Sequence, residues 1–188
     1  MGVNRHQDYA YIGNAVPNNL HWLDVKKMRD AGFRIIRSAH YPQDPAFMDA
    51  CDELGMFIIV ATPGWQYWNP EPVFEERILS DIRNMVRRYR NHPSVLLWEP
   101  VLNETAFPES FAQNAYRATH EEYPAPGCYA AIDDKSKGAM GYDVVYTAPK
   151  NEAFYRNAGK SCFTREYGDC VDDWNSHNSY SRVAREWG

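Results

Sequence analysis

The sequence lacks several patterns that would assign it to common functional classes. None of the CxxC or cysteine–histidine spacings of a zinc site occurs among its four cysteines, Cys51, Cys128, Cys162 and Cys170. No apolar run reaches the roughly 18 residues that can span a membrane, and the start, MGVNRHQDYA, has no signal-peptide pattern. These absences predict a soluble chain. They leave its compartment open, with a periplasmic or secreted parent protein as one option.

Clusters of positive charge are also scarce. The net charge is −5 and the pI is near 5.7. The one dense group of arginines, Arg87, Arg88 and Arg90, follows a helical pattern. A solvated helix face explains this group better than contact with a phosphate backbone does. We therefore expect neither a nucleic-acid partner nor a membrane partner.

What the sequence does contain is a regular alternation of short apolar runs and helical patterns. Six runs rich in β-branched and aromatic residues predict strands buried on both faces, at 33–38, 56–62, 94–100, 128–133, 143–148 and 161–167. Of the helices between them, one has Asn18 or Asn19 as its cap, and another begins at Asp44 and Pro45 and ends at Gly55. This alternation predicts a parallel sheet wrapped by helices.

Doubly wound and closed-barrel sheets both fit the alternation, and two features favour the barrel. No Gly-rich phosphate loop follows the first strand, and polar residues follow nearly every strand, as at the active face of a (β/α)8 barrel. These residues are Arg37 to His40, Asn103, Glu104, Asp133, Tyr146 and Glu166. With GVNR as the tail of a first strand, we count seven strands. The predicted fold class is α/β, a (β/α)8 TIM-barrel-like fold that is incomplete, with its first strand clipped and its eighth missing.

Two glutamates at strand ends indicate a chemistry. Glu104 follows the fourth strand and Glu166 the seventh, so the two would face each other across the barrel axis. Retaining glycoside hydrolysis needs two carboxyl groups about 5–5.5 Å apart, one protonated and the other ionised. Arg37 offers the fixed positive charge that keeps a glutamate ionised. The alternative is that Glu104 caps its turn and Glu166 pairs with Arg165 at the surface. Glu99, inside an apolar run, is expected to be structural.

Four segments resemble the catalytic barrel of glycoside hydrolase family 2. They are GVNRHQD (2–8), RSAHYPQDPAFMDACDELG (37–55), NE (103–104) and REYGD (165–169). The pairing of GVNRH with RxxHYP, about 30 positions later, is specific, whereas NE alone is a weak signal. The family includes β-galactosidases, β-mannosidases and β-glucuronidases, and this chain most resembles the β-galactosidases. The resemblance implies one glycoside hydrolase catalytic-domain fragment over residues 1–188.

The resemblance also implies roles for individual residues. It makes Glu104 the acid/base and Glu166 the nucleophile, with Arg37 supporting the nucleophile and Asn103 contacting the 2-hydroxyl of the sugar. The other implied substrate-binding residues are His40, Tyr146 and His6. The tyrosine occupies the place of the family's hydrogen-bond partner of the nucleophile, while a packing role is the alternative for His6. The implied substrate is a β-galactoside or related β-glycoside, and no cofactor is implied.

Aromatic residues make up 14% of the chain, which suits a large core or a surface that stacks on sugar faces. Trp65 and Trp68 lie in TPGWQYWNP, the loop after the third strand. Because Pro-Gly and Asn-Pro keep such a loop at the surface, we expect both rings to stack on the aglycone or on a second sugar. Packing within the loop or core is the alternative.

The chain departs from the family in ways that limit the analogy. VATPGWQ stands where well-known β-galactosidases carry an acidic DEAN-like motif, so no metal site is carried over. The family's β-sandwich domains and its eighth-strand tryptophan are also absent from the sequence. An open barrel would expose two strand edges, which predicts self-association through them and leaves a catalytically silent, sugar-binding fragment as an alternative. A metal-dependent hydrolase is disfavoured because the six histidines are scattered.

Overall fold

The computed structural model describes residues 1–147 and 152–166. Its strands are β1 Gly2–Arg5, β2 Ile35–Ser38, β3 Phe57–Ala61, β4 Val95–Glu99, β5 Ala131–Asp133, β6 Val144–Tyr146 and β7 Ser161–Phe163. Its helices are α1 Asn18–Asp30, α2 Pro45–Leu54, α3 Pro72–Tyr89, α4 Glu109–Glu122 and α5 Glu152–Asn157. The predicted alternation is confirmed, and α5 is an addition to it. The ends of the predicted runs 143–148 and 161–167 lie outside the described residues.

All the described strands are parallel and follow one another in chain order. One sheet has the order β1-β2-β3-β4 and the other β5-β6-β7. A bridge between Trp98 and Ala130 joins the two, with the Trp98 amide donating to the Tyr129 carbonyl at 2.9 Å. Sequential parallel order with helices outside is the topology of a (β/α)8 barrel. The predicted incomplete barrel is confirmed in the described part of the chain, which does not close.

The opening of the barrel lies between β1 and β7. Within the described residues, no ladder pairs these two strands. Near the carboxyl ends of the strands, Asn4 Nδ2 donates to the carbonyl of Arg165 at 3.1 Å. A cavity of about 490 Å³ occupies the opening, and its lining includes Val3, Ile35, Ile59 and Phe163. The two edges are therefore linked by a side-chain contact at the active face and separated by the cavity.

The strands are buried on both faces, as their continuous apolar runs predict. Ile59, Leu97, Ala131 and Tyr146 form a cluster inside the barrel. On the outer face, residues of β2, β3 and β4 pack against α2 and α3 in a second cluster that includes Ile36, Ile58, Phe47 and Val86. A third cluster packs α4 against α3 and β5. This double burial fixes which strand residues point into the barrel and therefore which side chains can reach the site.

The predicted ends of α2 are confirmed, whereas the predicted cap at the start of α1 is wrong. The Asp44 carboxylate accepts from the Ala46 amide at 2.9 Å, and Gly55 ends α2 in the left-handed region with φ 65°. Helix α1 instead begins after Pro17, whose extended backbone turns its carbonyl towards the amides of Leu20 and His21. No side chain caps α1. The described residues contain no helix long and apolar enough to cross a membrane.

Three of the cysteines lie in the described residues. Cys51 and Cys128 are buried free thiols, and Cys162 is half-buried. Burial raises the pKa of Cys51 to about 12 and that of Cys128 to about 11. Both therefore stay protonated at neutral pH, which makes them poor nucleophiles and metal ligands. Cys170 lies outside the described residues.

Candidate active site

Arg37 forms the centre of a polar cluster at the carboxyl ends of the strands. It is the third residue of β2, and only 2% of it is exposed. Its Nε and Nη2 donate to the two oxygens of Glu99 at 2.7 and 2.5 Å, and its Nη1 donates to Glu166 at 2.9 Å. Burial alone would lower the pKa of Arg37, but the Glu99 carboxylate raises it above its ordinary value. The buried guanidinium therefore keeps its charge and is paired on both edges.

Glu99, which the sequence analysis expects to be structural, also belongs to this cluster. Glu99 is the last residue of β4 and is as deeply buried as Arg37. Its carboxylate accepts from Arg37 and, at 3.2 Å, from the Tyr146 hydroxyl. A usable signal was present in the sequence. Glu99 is the one charged residue of its apolar run, Arg37 lies in another such run, and buried charges require partners.

Tyr146 lies beneath the cluster, inside the barrel. It is the last residue of β6 and is almost fully buried. Its hydroxyl donates to Glu99, whereas the resemblance implied the nucleophile as the acceptor. Burial first, and Glu99 second, raise the pKa of Tyr146 well above its ordinary value, so the hydroxyl keeps its proton. Tyr146 thus lies in the site, but its hydroxyl donates to Glu99 and not to Glu166, the expected acceptor.

Arg165 connects the two predicted catalytic glutamates. Its Nη1 lies 3.4 Å from Glu166 Oε1, and its Nη2 lies 3.8 Å from Glu104 Oε1. Nη2 also donates to Asp133, at the end of β5, at 2.6 Å. The alternative to catalysis paired Glu166 with Arg165 at the surface, yet here the two side chains are only 18% and 13% exposed. Both glutamates therefore border one guanidinium in the same cleft.

Glu104 sits on a loop, five positions after the end of β4. Its side chain is 45% exposed, and its backbone has φ 48°, a left-handed conformation that is uncommon outside glycine. Gln66 Nε2 donates to Glu104 Oε2 at 2.7 Å, and the Gln66 amide donates to the Asn103 carbonyl at 3.0 Å. The loop after β3 thus holds the loop after β4. The sequence analysis did not identify Gln66.

Asn103 lies between the two arginines. Its Oδ1 accepts from Arg37 Nη2 at 3.2 Å and from Arg165 Nη1. Since arginine only donates, the oxygen must be the end that faces the guanidinium groups. The amide nitrogen is consequently the end available to donate to a ligand, which suits the contact with a sugar hydroxyl that the resemblance implies.

His40, His6 and Trp65 form the rim of the cleft. The His40 ring lies 5.4 Å from that of His6 and 5.9 Å from that of Trp65, between centroids. Burial first, and then the charge of Arg37, lower the pKa of His40 to about 4, so its ring is neutral near pH 7. Trp65 is half-exposed, at 51%. A neutral imidazole and an open indole face are both suited to contacts with a sugar.

Trp68 is not brought to this rim. Its ring packs against Phe111 at 4.8 Å, Phe74 at 5.4 Å and Phe107 at 6.5 Å, between centroids. This cluster lies between α3 and α4, where a ring buries more apolar surface than the loop offers. The structure therefore gives Trp68 the packing environment of the alternative interpretation. Its neighbour Tyr67 is the exposed aromatic residue there, at 61%.

The described residues contain no group of three or more His, Cys, Asp or Glu side chains placed to hold a metal ion. The acids of the cleft are instead held by arginines. Arg37 binds Glu99 and Glu166, and Arg165 binds Asp133.

Known proteins are similar to this chain in sequence and in fold. The sequence profile for glycosyl hydrolases family 2, TIM barrel domain, matches residues 1–125. A β-galactosidase of Thermoanaerobacterium thermosulfurigenes is 37% identical over 125 residues, which is 65% of this chain and 17% of that protein. A β-galactosidase of Thermoanaerobacter pseudethanolicus is 31% identical over 121 residues, 64% of this chain and 16% of that protein.

Among solved structures, the GH2 β-galacturonidase from Eisenbergiella tayi, bound to galacturonate, superposes with a TM-score of 0.67 at 30% identity. The match covers 79% of this chain and 29% of that one. The chain thus spans less than a third of each of these three relatives.

Proposed function

The chain belongs to glycosyl hydrolase family 2, and on this basis we propose that it acts in the catalytic barrel of a retaining β-glycosidase. The substrate is a terminal β-linked sugar, of the kind that β-galactosidases cleave, and residues 1–188 are part of one catalytic domain. The observation that carries the proposal is the placement of Arg165, within 3.4 Å of Glu166 and 3.8 Å of Glu104. Two carboxyl groups facing one small volume are the minimum that the mechanism requires.

In the first step, Glu166 attacks the anomeric carbon and Glu104 donates a proton to the glycosidic oxygen. The bond from the anomeric carbon to that oxygen breaks, the aglycone leaves as an alcohol, and the sugar becomes an ester of Glu166. Arg37, which donates to Glu166 at 2.9 Å, keeps the carboxylate ionised and oriented for attack.

In the second step, Glu104 acts as a base. It accepts a proton from water, the water oxygen attacks the anomeric carbon, and the ester bond to Glu166 breaks. Glu104 is the more exposed of the two acids, which gives water and the leaving group a path to it. The scheme uses neither a metal nor a cofactor.

The sugar lies over Arg37 in this scheme, with its ring between the two glutamates. The Asn103 amide nitrogen donates to the 2-hydroxyl, while neutral His40 and exposed His6 contact other hydroxyls. Trp65 stacks on the aglycone or on a second sugar, since its ring is open to solvent beside His40. Tyr146 acts indirectly, through the hydrogen bond that its hydroxyl donates to Glu99.

A neutral sugar suits the site better than a uronic acid. Recognition of a sugar carboxylate requires a cationic side chain with free donors. In the described part of the chain, the two arginines of the cleft already have carboxylate partners: Arg37 pairs with Glu99 and Glu166, and Arg165 pairs with Asp133. We therefore favour a β-galactoside over a β-galacturonide.

A catalytically silent, sugar-binding fragment is the second candidate. The gap between β1 and β7, with its cavity of about 490 Å³, favours it, because one wall of the cleft is carried by β7. The same two edges, of β1 and β7, are where copies of the chain would associate.

Covalent trapping tests the proposal. The chain is incubated with 2-deoxy-2-fluoro-β-galactosyl fluoride, whose fluorine slows both steps while its good leaving group lets the ester accumulate. We expect the intact mass to increase by one fluorosugar and peptide mapping to place it on Glu166, with Glu166→Gln as the unlabelled control. An adduct on another carboxylate would refute the assignment. Binding of galactose by calorimetry without any adduct would support the silent fragment.

A further inference from the structure

We propose that Glu99 is a positioning residue for the nucleophile. In this role its buried carboxylate fixes Arg37 so that Nη1 is presented to Glu166, and it keeps Arg37 paired while Glu166 is esterified. The inference rests on the proposed function. It differs from the expectation that Glu99 supports the strand alone.

The geometry of Arg37 provides the first argument. The guanidinium is planar, with donors in fixed directions. Glu99 takes the edge formed by Nε and Nη2, at 2.7 and 2.5 Å, and this bidentate contact fixes the plane of the group. The remaining donor, Nη1, then points at Glu166, 2.9 Å away. The position of the nucleophile is therefore set by a residue that does not touch the substrate.

Charge provides the second argument. When Glu166 attacks the sugar it becomes a neutral ester, and Arg37 loses one of its anionic partners. An uncompensated buried charge is strongly destabilising. Glu99 stays bound to Arg37 throughout, so the arginine is never left alone in the barrel. Glu99 thereby lowers the energy of the covalent intermediate relative to a site in which Arg37 had only Glu166.

The other charged and titratable groups around Arg37 do not replace Glu99. Arg165 adds a second positive charge and is itself paired with Asp133 at 2.6 Å. His40, 3.5 Å from Arg37 Nη2, has its pKa lowered and is neutral near pH 7. The Tyr146 hydroxyl, with its raised pKa, donates to Glu99 and carries no charge. Among the described residues, Glu99 is the carboxylate that accepts on the edge of Arg37 formed by Nε and Nη2.

A matched control exists elsewhere in the barrel. Arg5, the last residue of β1, is also buried and pairs with Asp24 of α1 at 2.9 Å. No contact in the described part of the chain links this pair to Glu166. Asp24→Asn therefore makes the same chemical change as Glu99→Gln, a carboxylate to its amide beside a buried arginine, but away from the nucleophile.

The experiment compares trapping rates for the 188-residue chain and its variants. For Glu99→Gln we expect trapping with the 2-fluorogalactosyl fluoride to slow by about 10- to 100-fold, the scale of a misplaced reacting group, while the reagent concentration at half-maximal rate changes less than about threefold. Glu99→Asp, which keeps the charge, should recover part of the rate. Asp24→Asn should lower the melting temperature and leave the trapping rate unchanged. Equal rates for Glu99→Gln and wild type would overturn the proposal.

Binding of a protonated galacto-configured iminosugar, measured by calorimetry, separates this proposal from the proposed function. Its cation lies near Glu166, so Glu99→Gln should bind it at least about tenfold more weakly, and Asp24→Asn should bind it as wild type does. If the wild type binds the iminosugar but is never trapped, the proposed function fails and Glu99 is judged on the affinities alone. If Glu99→Gln and wild type then bind the iminosugar with equal affinity, the proposal is overturned. If the wild type neither binds the iminosugar nor is trapped, both the proposal and the proposed function are overturned.

Discussion

The two glutamates assigned to catalysis are held in very different ways. Glu166 contacts Arg37, a buried arginine that Glu99 fixes from its other edge. Glu104 is 45% exposed, sits on a loop with φ 48° and is held by the side chain of Gln66. Charged contacts inside the barrel thus hold Glu166 in place, whereas a neutral contact between two surface loops holds Glu104.

This contrast matches the different tasks that we propose for the two groups. A nucleophile must stay ionised and keep one direction, which buried arginine contacts ensure. An acid/base must gain and lose a proton in each cycle and needs access to water and to the leaving group. Arg165 comes no closer than 3.8 Å to Glu104, whose side chain is open to solvent. Each prediction below perturbs one side of this contrast.

Removal of the nucleophile should have the largest consequence. For Glu166→Ala, we expect hydrolysis of a β-galactoside to fall by about 10⁴-fold or more, as is typical when a covalent nucleophile is lost. Added azide should restore turnover by entering the vacated space, and the product should be the α-galactosyl azide, identified by NMR. A β-azide product would show that Glu166 is not the nucleophile.

Removal of the acid/base should depend on the leaving group. For Glu104→Ala, we expect hydrolysis of substrates with poor leaving groups to fall by about 10²- to 10⁴-fold. Trapping by the fluoride reagent should change little, because fluoride departs with little help from an acid. Here azide should give the β-galactosyl azide. An equal loss with good and poor leaving groups would contradict the role of Glu104.

The contact from Gln66 should matter less. Gln66→Ala removes one hydrogen bond of 2.7 Å to Glu104, and a bond of this kind is worth about 1 kcal/mol. We expect about a fivefold loss with poor leaving groups, no change in the trapping rate and no change in melting temperature beyond about 2 °C. Gln113→Ala, on the exposed face of α4, is the control. A slower trapping rate in Gln66→Ala would show that the two sides of the site are coupled.

His40 should make folding stability depend on pH. Burial lowers its pKa from 6.5 to about 4, so the unfolded chain binds a proton more readily than the folded one between these values. Stability should therefore fall as the pH falls from 6.5 towards 4. The measurement is urea unfolding across that range, and His40→Gln should show a smaller loss than wild type. The same slope in both would mean that carboxylates alone cause it.

The sequence alone determined the class of fold and the identity of the main residues. Continuous apolar runs separated by helical patterns are local signals, and they predicted a parallel sheet wrapped by helices. Residues at strand ends gave Glu104, Glu166 and Arg37, because the carboxyl ends of parallel strands always meet at one edge. The helix signals at Asp44 and Gly55 were equally local.

Only the tertiary structure decided which of these side chains pair. The contact between Arg37 and Glu99 joins positions 62 apart in the chain. It depends on the register of β2, β3 and β4, including an irregularity between Ile58 and Ile59. Likewise, the packing of α3 against α4 places the Trp68 ring against Phe111, whereas Trp65 stays exposed at the rim. Register and packing are cooperative properties of several distant segments, so no single stretch of sequence specifies them.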